Sequence, residues 1–112
     1  MNDVLAQLAN TLAARRHADP EQSYVASLHH RGLNKILEKV GEESTEVIVA
    51  AKDAAAGGSR EAVVGEVADL WFHSMVLLSH LGLEIEDVIR CLGDRQGVSG
   101  HDEKAARNTH GK

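Results

Sequence analysis

A chain of 112 residues is long enough for one domain with a single hydrophobic core. Its formal net charge of −5 argues against nucleic acid or an anionic membrane surface as a partner. The lone cysteine, Cys91, excludes an internal disulfide and offers no zinc-binding signature.

Helical periodicity runs through most of the chain, and no segment is convincing as a strand. Apolar residues at helical spacing predict a first helix over about 2–16. The stretch ADPEQ predicts that a short helix starts at Pro20 and runs to about His30, with Asp19 as its N-cap. A long helix is predicted over about 33–56.

The residues GGS at 57–59 interrupt this pattern and predict a turn. Ser59 is expected to cap another long helix, which continues to about Leu81 and stops at Gly82. A last helix is predicted from Ile85 to about Arg95. We therefore predict an all-α fold of four to five helices, in which the two long helices form an antiparallel hairpin about the GGS turn.

The domain is predicted to cover residues 1–96. Residues 97–112 have almost no apolar content, so we expect a disordered polar tail. The N-terminal stretch MNDVLAQLAN lacks a basic segment before an apolar core, and no apolar run has the length of a membrane span. We expect an unexported, cytoplasmic protein without a membrane partner.

The stretch KVGEESTEVIVAAK crowds three glutamates into the first long helix. On a helical wheel, Glu43 lies inside the apolar stripe between Val40 and Val47. Glu46 flanks that stripe, and Glu42 lies further toward solvent. A glutamate on the buried side of a helix must be neutralised, paired or bound to a metal ion.

The second long helix repeats the pattern, because Glu66, Asp69 and His73 share one stripe with apolar residues. The two acidic pairs are Glu43 with Glu46 and Glu66 with Asp69. In an antiparallel hairpin about Gly58, a rise of about 1.5 Å per residue places the two pairs at similar distances from the turn. All-oxygen ligation favours Mg²⁺, or Mn²⁺, over zinc or iron. Such a site predicts metal-assisted attack of water on a nucleotide-like polyphosphate. The residues expected to hold the metal are Glu43, Glu46, Glu66 and Asp69, and those expected to contact the substrate are Lys35, Lys39, Lys52 and His73.

Structural explanations compete with these roles. Glu42 could be a solvated charge paired with Lys39, and His73 could be a core histidine with satisfied hydrogen bonds. Taken singly, the three lysines look like ordinary surface residues. A helical dimerisation module with incidental acid pairs is the non-enzymatic alternative. A di-iron four-helix protein would need Glu-x-x-His pairs, and the chain contains none.

Two stretches together resemble a known family: SYVASLHHRGLNKILEKVGEESTEVIVAAK and EVADLWFHSMVLLSHLGL. They are similar to phosphoribosyl-ATP pyrophosphohydrolases, which catalyse the second step of histidine biosynthesis and belong to the all-α NTP pyrophosphatase superfamily. The resemblance extends from about residue 4 to Arg95. It implies Mg²⁺-dependent hydrolysis of phosphoribosyl-ATP to phosphoribosyl-AMP and pyrophosphate.

The resemblance also assigns expected roles to residues. The metal-binding positions of the superfamily match Glu43, Glu46, Glu66 and Asp69, and a further acidic position, expected to be catalytic, matches Glu42, which could orient or deprotonate the attacking water. It implies a homodimer whose core resembles a four-helix bundle, in a stand-alone form of the enzyme. A house-cleaning nucleotide pyrophosphatase of the same superfamily, acting on dUTP, dCTP or a damaged nucleotide, is the nearest alternative.

Overall fold

The computed structural model describes residues 3–96, which form five helices and, within that range, no strand. The all-α class and the number of helices are therefore confirmed. The predicted disordered tail, 97–112, lies outside the described residues. The helices are α1 (Asp3–Arg15), α2 (Tyr24–Arg31), α3 (Leu33–Ala55), α4 (Arg60–His80) and α5 (Ile85–Arg95).

The helices α3 and α4 form the predicted hairpin and make the most extensive contact between any two helices described. Gly57 adopts a positive φ of 103° in the turn, a conformation that residues with a Cβ rarely adopt. The backbone N–H of Gly58 donates to the carbonyl of Asp53 at 2.8 Å, which closes the end of α3. The hydroxyl of Ser59 accepts from the N–H of Ala62 at 3.1 Å and caps α4, as predicted.

The predicted start of the short helix at Pro20 is wrong, because α2 begins at Tyr24. The side chain of Asp19 accepts from the N–H of Glu21 at 2.9 Å, and its carbonyl accepts from the N–H groups of Gln22 and Ser23. These bonds close a turn that does not continue into a helix. Ser23, in an extended conformation, then caps the helix by accepting from the N–H of Ala26 at 3.2 Å.

The core is small and lies where α1, α2, α3 and α4 meet. Its best-buried side chains are Leu12, Leu28, Ile36 and Val76. Large apolar side chains stay exposed on the hairpin, including Ile48 at 63%, Val64 at 70% and Trp71 at 56%. A single copy of the chain therefore leaves an apolar face of α3 and α4 in water.

Among residues 3–96, α4 is long and apolar enough to cross a membrane, judged by length and composition alone. Its middle carries Glu66 and Asp69, and an unpaired carboxylate is costly inside a bilayer. The helix packs along α3 and carries part of the acidic group described below. The acidic residues in its middle and its packing along α3 are features of a helix that packs against protein.

Candidate metal centre

Three carboxylates from the two hairpin helices converge on one point. Glu43 and Glu46 lie one turn apart on α3, and Glu66 approaches them from α4. Each contributes an oxygen, and these oxygens all lie within 4.8 Å of one another. The antiparallel hairpin thus joins two acidic segments that are separated along the chain.

Glu43 is the most buried member of the group, with 6% of its surface exposed. Its Oε1 and the Oε1 of Glu66 are buried, and within the described part of the chain neither has a hydrogen-bond partner. Buried carboxylate oxygens without partners carry a desolvation cost that a bound cation would offset. An all-oxygen donor set of this kind fits a hard divalent ion.

Burial and the proximity of other carboxylates raise the pKa of two members of this group. Burial raises the pKa of Glu43, and the charges of Glu46 and Asp69 raise it further. A hydrogen bond with Glu46 raises the pKa of Glu66, with burial as the next cause. Both carboxyl groups are therefore harder to ionise than a free glutamate, and a nearby positive charge would oppose this effect.

Asp69, the fourth predicted ligand, lies outside the group of three whose oxygens converge. Its side chain is exposed on α4, and its charge still raises the pKa of both Glu43 and Glu66. Asp69 therefore borders the site.

Lys39 is the lysine closest to the carboxylates. Its Nζ lies 2.9 Å from Oε1 of Glu42 and 4.0 Å from Oε2 of Glu43. The hydrogen bond from Lys39 lowers the pKa of Glu42, so that this carboxylate stays ionised. Lys35 pairs instead with Glu38 at 3.4 Å, and Lys52 is exposed in the last turn of α3.

His73 is buried, with 6% of its surface exposed, and both of its ring nitrogens have partners. Its Nδ1 lies 2.8 Å from the carbonyl oxygen of Asp69, one turn earlier on α4. Its Nε2 lies 2.8 Å from the hydroxyl of Tyr24 at the start of α2. Tyr24 was not among the predicted site residues, because this contact joins distant parts of the sequence.

A groove of about 650 Å³ adjoins the carboxylates between the end of α3 and the start of α4. This volume is within the usual range for a pocket that holds a small ligand, about 300–1,000 Å³. Its lining residues are Glu46, Val49, Ala50, Asp53, Gly58, Ser59, Ala62 and Glu66. Two of the converging carboxylates therefore form one wall of a space open to a ligand.

One protein family matches this chain over nearly all of the described residues. The model of the family described as phosphoribosyl-ATP pyrophosphohydrolase matches residues 5–96. The match covers most of the 112 residues. It includes both acidic segments and the start of α2.

Proposed function

The chain belongs to the phosphoribosyl-ATP pyrophosphohydrolase family, and from this we propose that Mg²⁺, or Mn²⁺, held by the acidic group supports hydrolysis of phosphoribosyl-ATP. The family is metal-dependent, acts on a nucleotide and takes part in histidine biosynthesis. The products would be phosphoribosyl-AMP and pyrophosphate. Because enzymes of this family are soluble, we place the reaction in the cytoplasm.

One observation carries the choice of metal. Oxygens of Glu43, Glu46 and Glu66 converge, and two buried oxygens of this group have no protein partner among the described residues. Nitrogen and sulfur ligands, which zinc prefers, are absent from the converging set. We propose that Glu43, Glu46 and Glu66 hold the ion and that Asp69 adds negative charge beside it.

When bound, a divalent ion of this type polarises a phosphoryl oxygen and lowers the pKa of a coordinated water. Glu42 is our candidate for orienting or deprotonating the attacking water, and its hydrogen bond with Lys39 at 2.9 Å holds the carboxylate in place as an acceptor for that water. In the reaction, the water oxygen forms a bond to the α-phosphorus. The bond from that phosphorus to the bridging oxygen breaks, and pyrophosphate leaves.

Positive charge for the phosphates would come from the lysines of α3. Lys39 is best placed, since it already contacts two of the acidic side chains. Lys35 pairs with Glu38, and Lys52 lies roughly 9 Å along the helix axis from Glu46 by the rise per residue. We propose that the three lysines contact the phosphates and that His73 acts close to the substrate.

We also propose that the chain works as a homodimer. Leu37 and Ile48 share one face of α3, and Val64 and Trp71 share one face of α4, by their helical spacing. Their exposed fractions range from 46% to 70% in a single copy. A second copy would bury this face and build a four-helix core from two hairpins. Sedimentation equilibrium should give twice the chain mass of 12.1 kDa, and a monomer would contradict the dimer.

The direct test is release of pyrophosphate from phosphoribosyl-ATP by the purified chain with and without Mg²⁺. We expect turnover that requires the metal and that falls by at least about 10-fold in Glu46→Gln, because losing even a residue that only supports a metal ligand typically costs about 10–100-fold. Glu86→Gln, an exposed glutamate on α5, is the matched control and should keep full activity. Metal-independent turnover, or an unchanged Glu46→Gln, would contradict the mechanism.

A substrate panel separates the proposed reaction from a house-cleaning activity. Phosphoribosyl-ATP, ATP, dUTP and dCTP should be assayed side by side at equal concentration. We expect the largest kcat/KM for phosphoribosyl-ATP. A preference for dUTP or dCTP would overturn the proposed substrate and leave the metal site standing.

A further inference from the structure

Tyr24 reaches the site from α2, and its position follows from the cap of that helix. Because Ser23 holds the N-cap, Tyr24 occupies the first helical position and its ring lies against α4. The ring stacks on Phe72 with a centroid distance of 6.2 Å and meets the edge of His73 at 5.8 Å. The residue is 52% exposed, so one side of the phenol faces solvent.

The direction of the hydrogen bond between Tyr24 and His73 is fixed by the backbone. A carbonyl oxygen can only accept, so the Nδ1 of His73 must carry the proton that it donates to Asp69. In a neutral ring the Nε2 is then a bare acceptor. The hydroxyl of Tyr24, 2.8 Å away, must donate its only proton to this nitrogen.

As a result, the hydroxyl oxygen of Tyr24 is available to other groups only as an acceptor. Burial raises the pKa of Tyr24, so the hydroxyl keeps its proton at neutral pH. The acceptor oxygen lies 2.8 Å from the Nε2 of His73, whose Nδ1 lies 2.8 Å from the carbonyl oxygen of Asp69 at the border of the carboxylate group.

We propose that the Tyr24 oxygen accepts a hydrogen bond from a hydroxyl of the ribose that carries the substrate's triphosphate. This inference rests on the proposed function and assigns a specificity residue to the same site. His73 then serves as a positioning residue, which fixes the direction of the Tyr24 hydroxyl.

The chemistry of the substrate explains why a sugar hydroxyl is the partner. Phosphate oxygens at neutral pH have no proton to donate, so an acceptor-only oxygen would repel them, whereas Lys39 would attract them. The ribose follows the α-phosphate directly along the substrate and carries hydroxyl groups that donate. A substrate whose α-phosphate lies at the carboxylates thus places a donor in the neighbourhood of Tyr24.

The test compares Tyr24→Phe with the wild type on two kinds of substrate: phosphoribosyl-ATP, and its counterparts in which the triphosphate-bearing ribose lacks the 2′- or the 3′-hydroxyl. A neutral hydrogen bond is worth about 0.5–1.5 kcal/mol, which corresponds to a factor of roughly 2–13 in kcat/KM. We expect the wild type to lose about this factor with one deoxy substrate. Tyr24→Phe should show the same loss on the parent substrate and no additional loss on that deoxy substrate.

Phe72→Leu is the matched control, because it weakens the ring stack without removing the Tyr24 oxygen. It should lower the melting temperature and retain the penalty for the deoxy substrate. Additive losses in Tyr24→Phe, or no loss in the wild type with either deoxy substrate, would overturn the inference alone. No turnover of phosphoribosyl-ATP by the wild type would overturn the proposed function as well.

The direction of the hydrogen bond has its own readout, which does not depend on activity. Nitrogen-15 spectra of the imidazole rings should show His73 as the Nδ1–H tautomer in both the wild type and Tyr24→Phe. A His73 that carries a proton on Nε2, whether the ring is neutral or doubly protonated, would overturn the inference, since Tyr24 would then accept from the ring.

Discussion

The Nδ1 of His29 on α2 lies 2.9 Å from the Nδ1 of His80 at the end of α4, and the two rings are stacked. One proton must lie between these nitrogens, because two bare acceptors would repel. Arg16 donates to the carbonyls of Ser79 and His80 beside this pair. The pair thus joins α2 to α4 through a bond that tolerates one shared proton and is lost if both nitrogens are protonated.

This arrangement predicts that stability falls on mild acidification. Burial lowers the pKa of His29 below its ordinary value of 6.5, and the charges of Arg16, His80 and His17 lower it further. Below about pH 6.5 the folded chain therefore binds fewer protons than the unfolded chain, and the contribution of His29 is lost as the pH falls from there toward the lowered pKa of the folded state. Urea unfolding between pH 8 and 5 should show the decrease.

His29→Gln should flatten this part of the pH dependence, because glutamine does not titrate. His30→Gln, which replaces an exposed neighbour on the same helix, is the control and should keep the slope of the wild type. An identical slope in His29→Gln and the wild type would show that the titrating group lies elsewhere.

Neutralising Glu43 should stabilise the metal-free chain. Its burial and the charges of Glu46 and Asp69 oppose ionisation, and Glu43→Gln removes this cost. We therefore expect Glu43→Gln to raise the free energy of unfolding at pH 7 in the absence of metal. Because the wild-type carboxyl has a raised pKa, this gain should shrink as the pH falls and Glu43 becomes protonated.

Added Mg²⁺ should reverse that order of stability. Melting temperatures with Mg²⁺ and with a chelator should show stabilisation of the wild type and little change in Glu43→Gln, since only the former keeps the full set of ligands. Glu86→Gln should respond to Mg²⁺ like the wild type. Equal Mg²⁺ responses in all three proteins, or none in the wild type, would contradict the proposed metal site and favour a purely structural acidic group.

The turn between α3 and α4 should be intolerant of a side chain at Gly58. A Cβ there would lie 2.8 Å from the carbonyl oxygen of Asp53, which is backbone and cannot move away cheaply. We expect Gly58→Ala to lower the free energy of unfolding by about 1–3 kcal/mol. Gly93→Ala is the contrasting variant, since its added Cβ would have no described atom within 4 Å other than those of its chain neighbours and the backbone of its own helix, and it should stabilise α5 by about 0.5–1 kcal/mol. Equal effects of the two substitutions in urea unfolding would contradict this account.

Removing the cap of α4 should cost stability in a measurable way. Ser59→Ala deletes the acceptor of the Ala62 N–H and should lower the free energy of unfolding by about 1 kcal/mol. Ser44→Ala deletes a hydroxyl that bonds the carbonyl of Val40 inside α3, where alanine is a better helix former. It should therefore be neutral or slightly stabilising. A loss in Ser44→Ala as large as in Ser59→Ala would show that capping is not the cause.

The ends of the long helices could be predicted because glycine and serine act there through local physics. Gly57 and Gly82 have positive φ, and Ser59 caps α4, so each signal works without help from distant residues. The start of α2 could not be predicted in the same way. Asp19 and Pro20 form a plausible cap, and the choice between them and Ser23 depends on where α2 must pack.

Within the candidate site, too, the features that depend on one helix could be predicted and those that join two helices could not. The burial of Glu43 follows from helical periodicity, which any single helix reveals. The contact between Tyr24 and His73 joins two helices, and no period within either segment predicts it. The bond between His73 and the carbonyl of Asp69 is local by contrast, since residues four apart on a helix lie one turn from each other.

The hairpin also determines which parts of the protein should unfold first. Its two carboxylate-bearing helices are joined by the short turn 56–59, so little loop entropy opposes their pairing. Fewer contacts attach α1 and α5 to the remainder of the described chain. We therefore expect amide hydrogen exchange to reveal separate cooperative units, in which α1 and α5 open often while α3 and α4 exchange slowly together. The metal-binding geometry would then survive local unfolding at both ends of the domain.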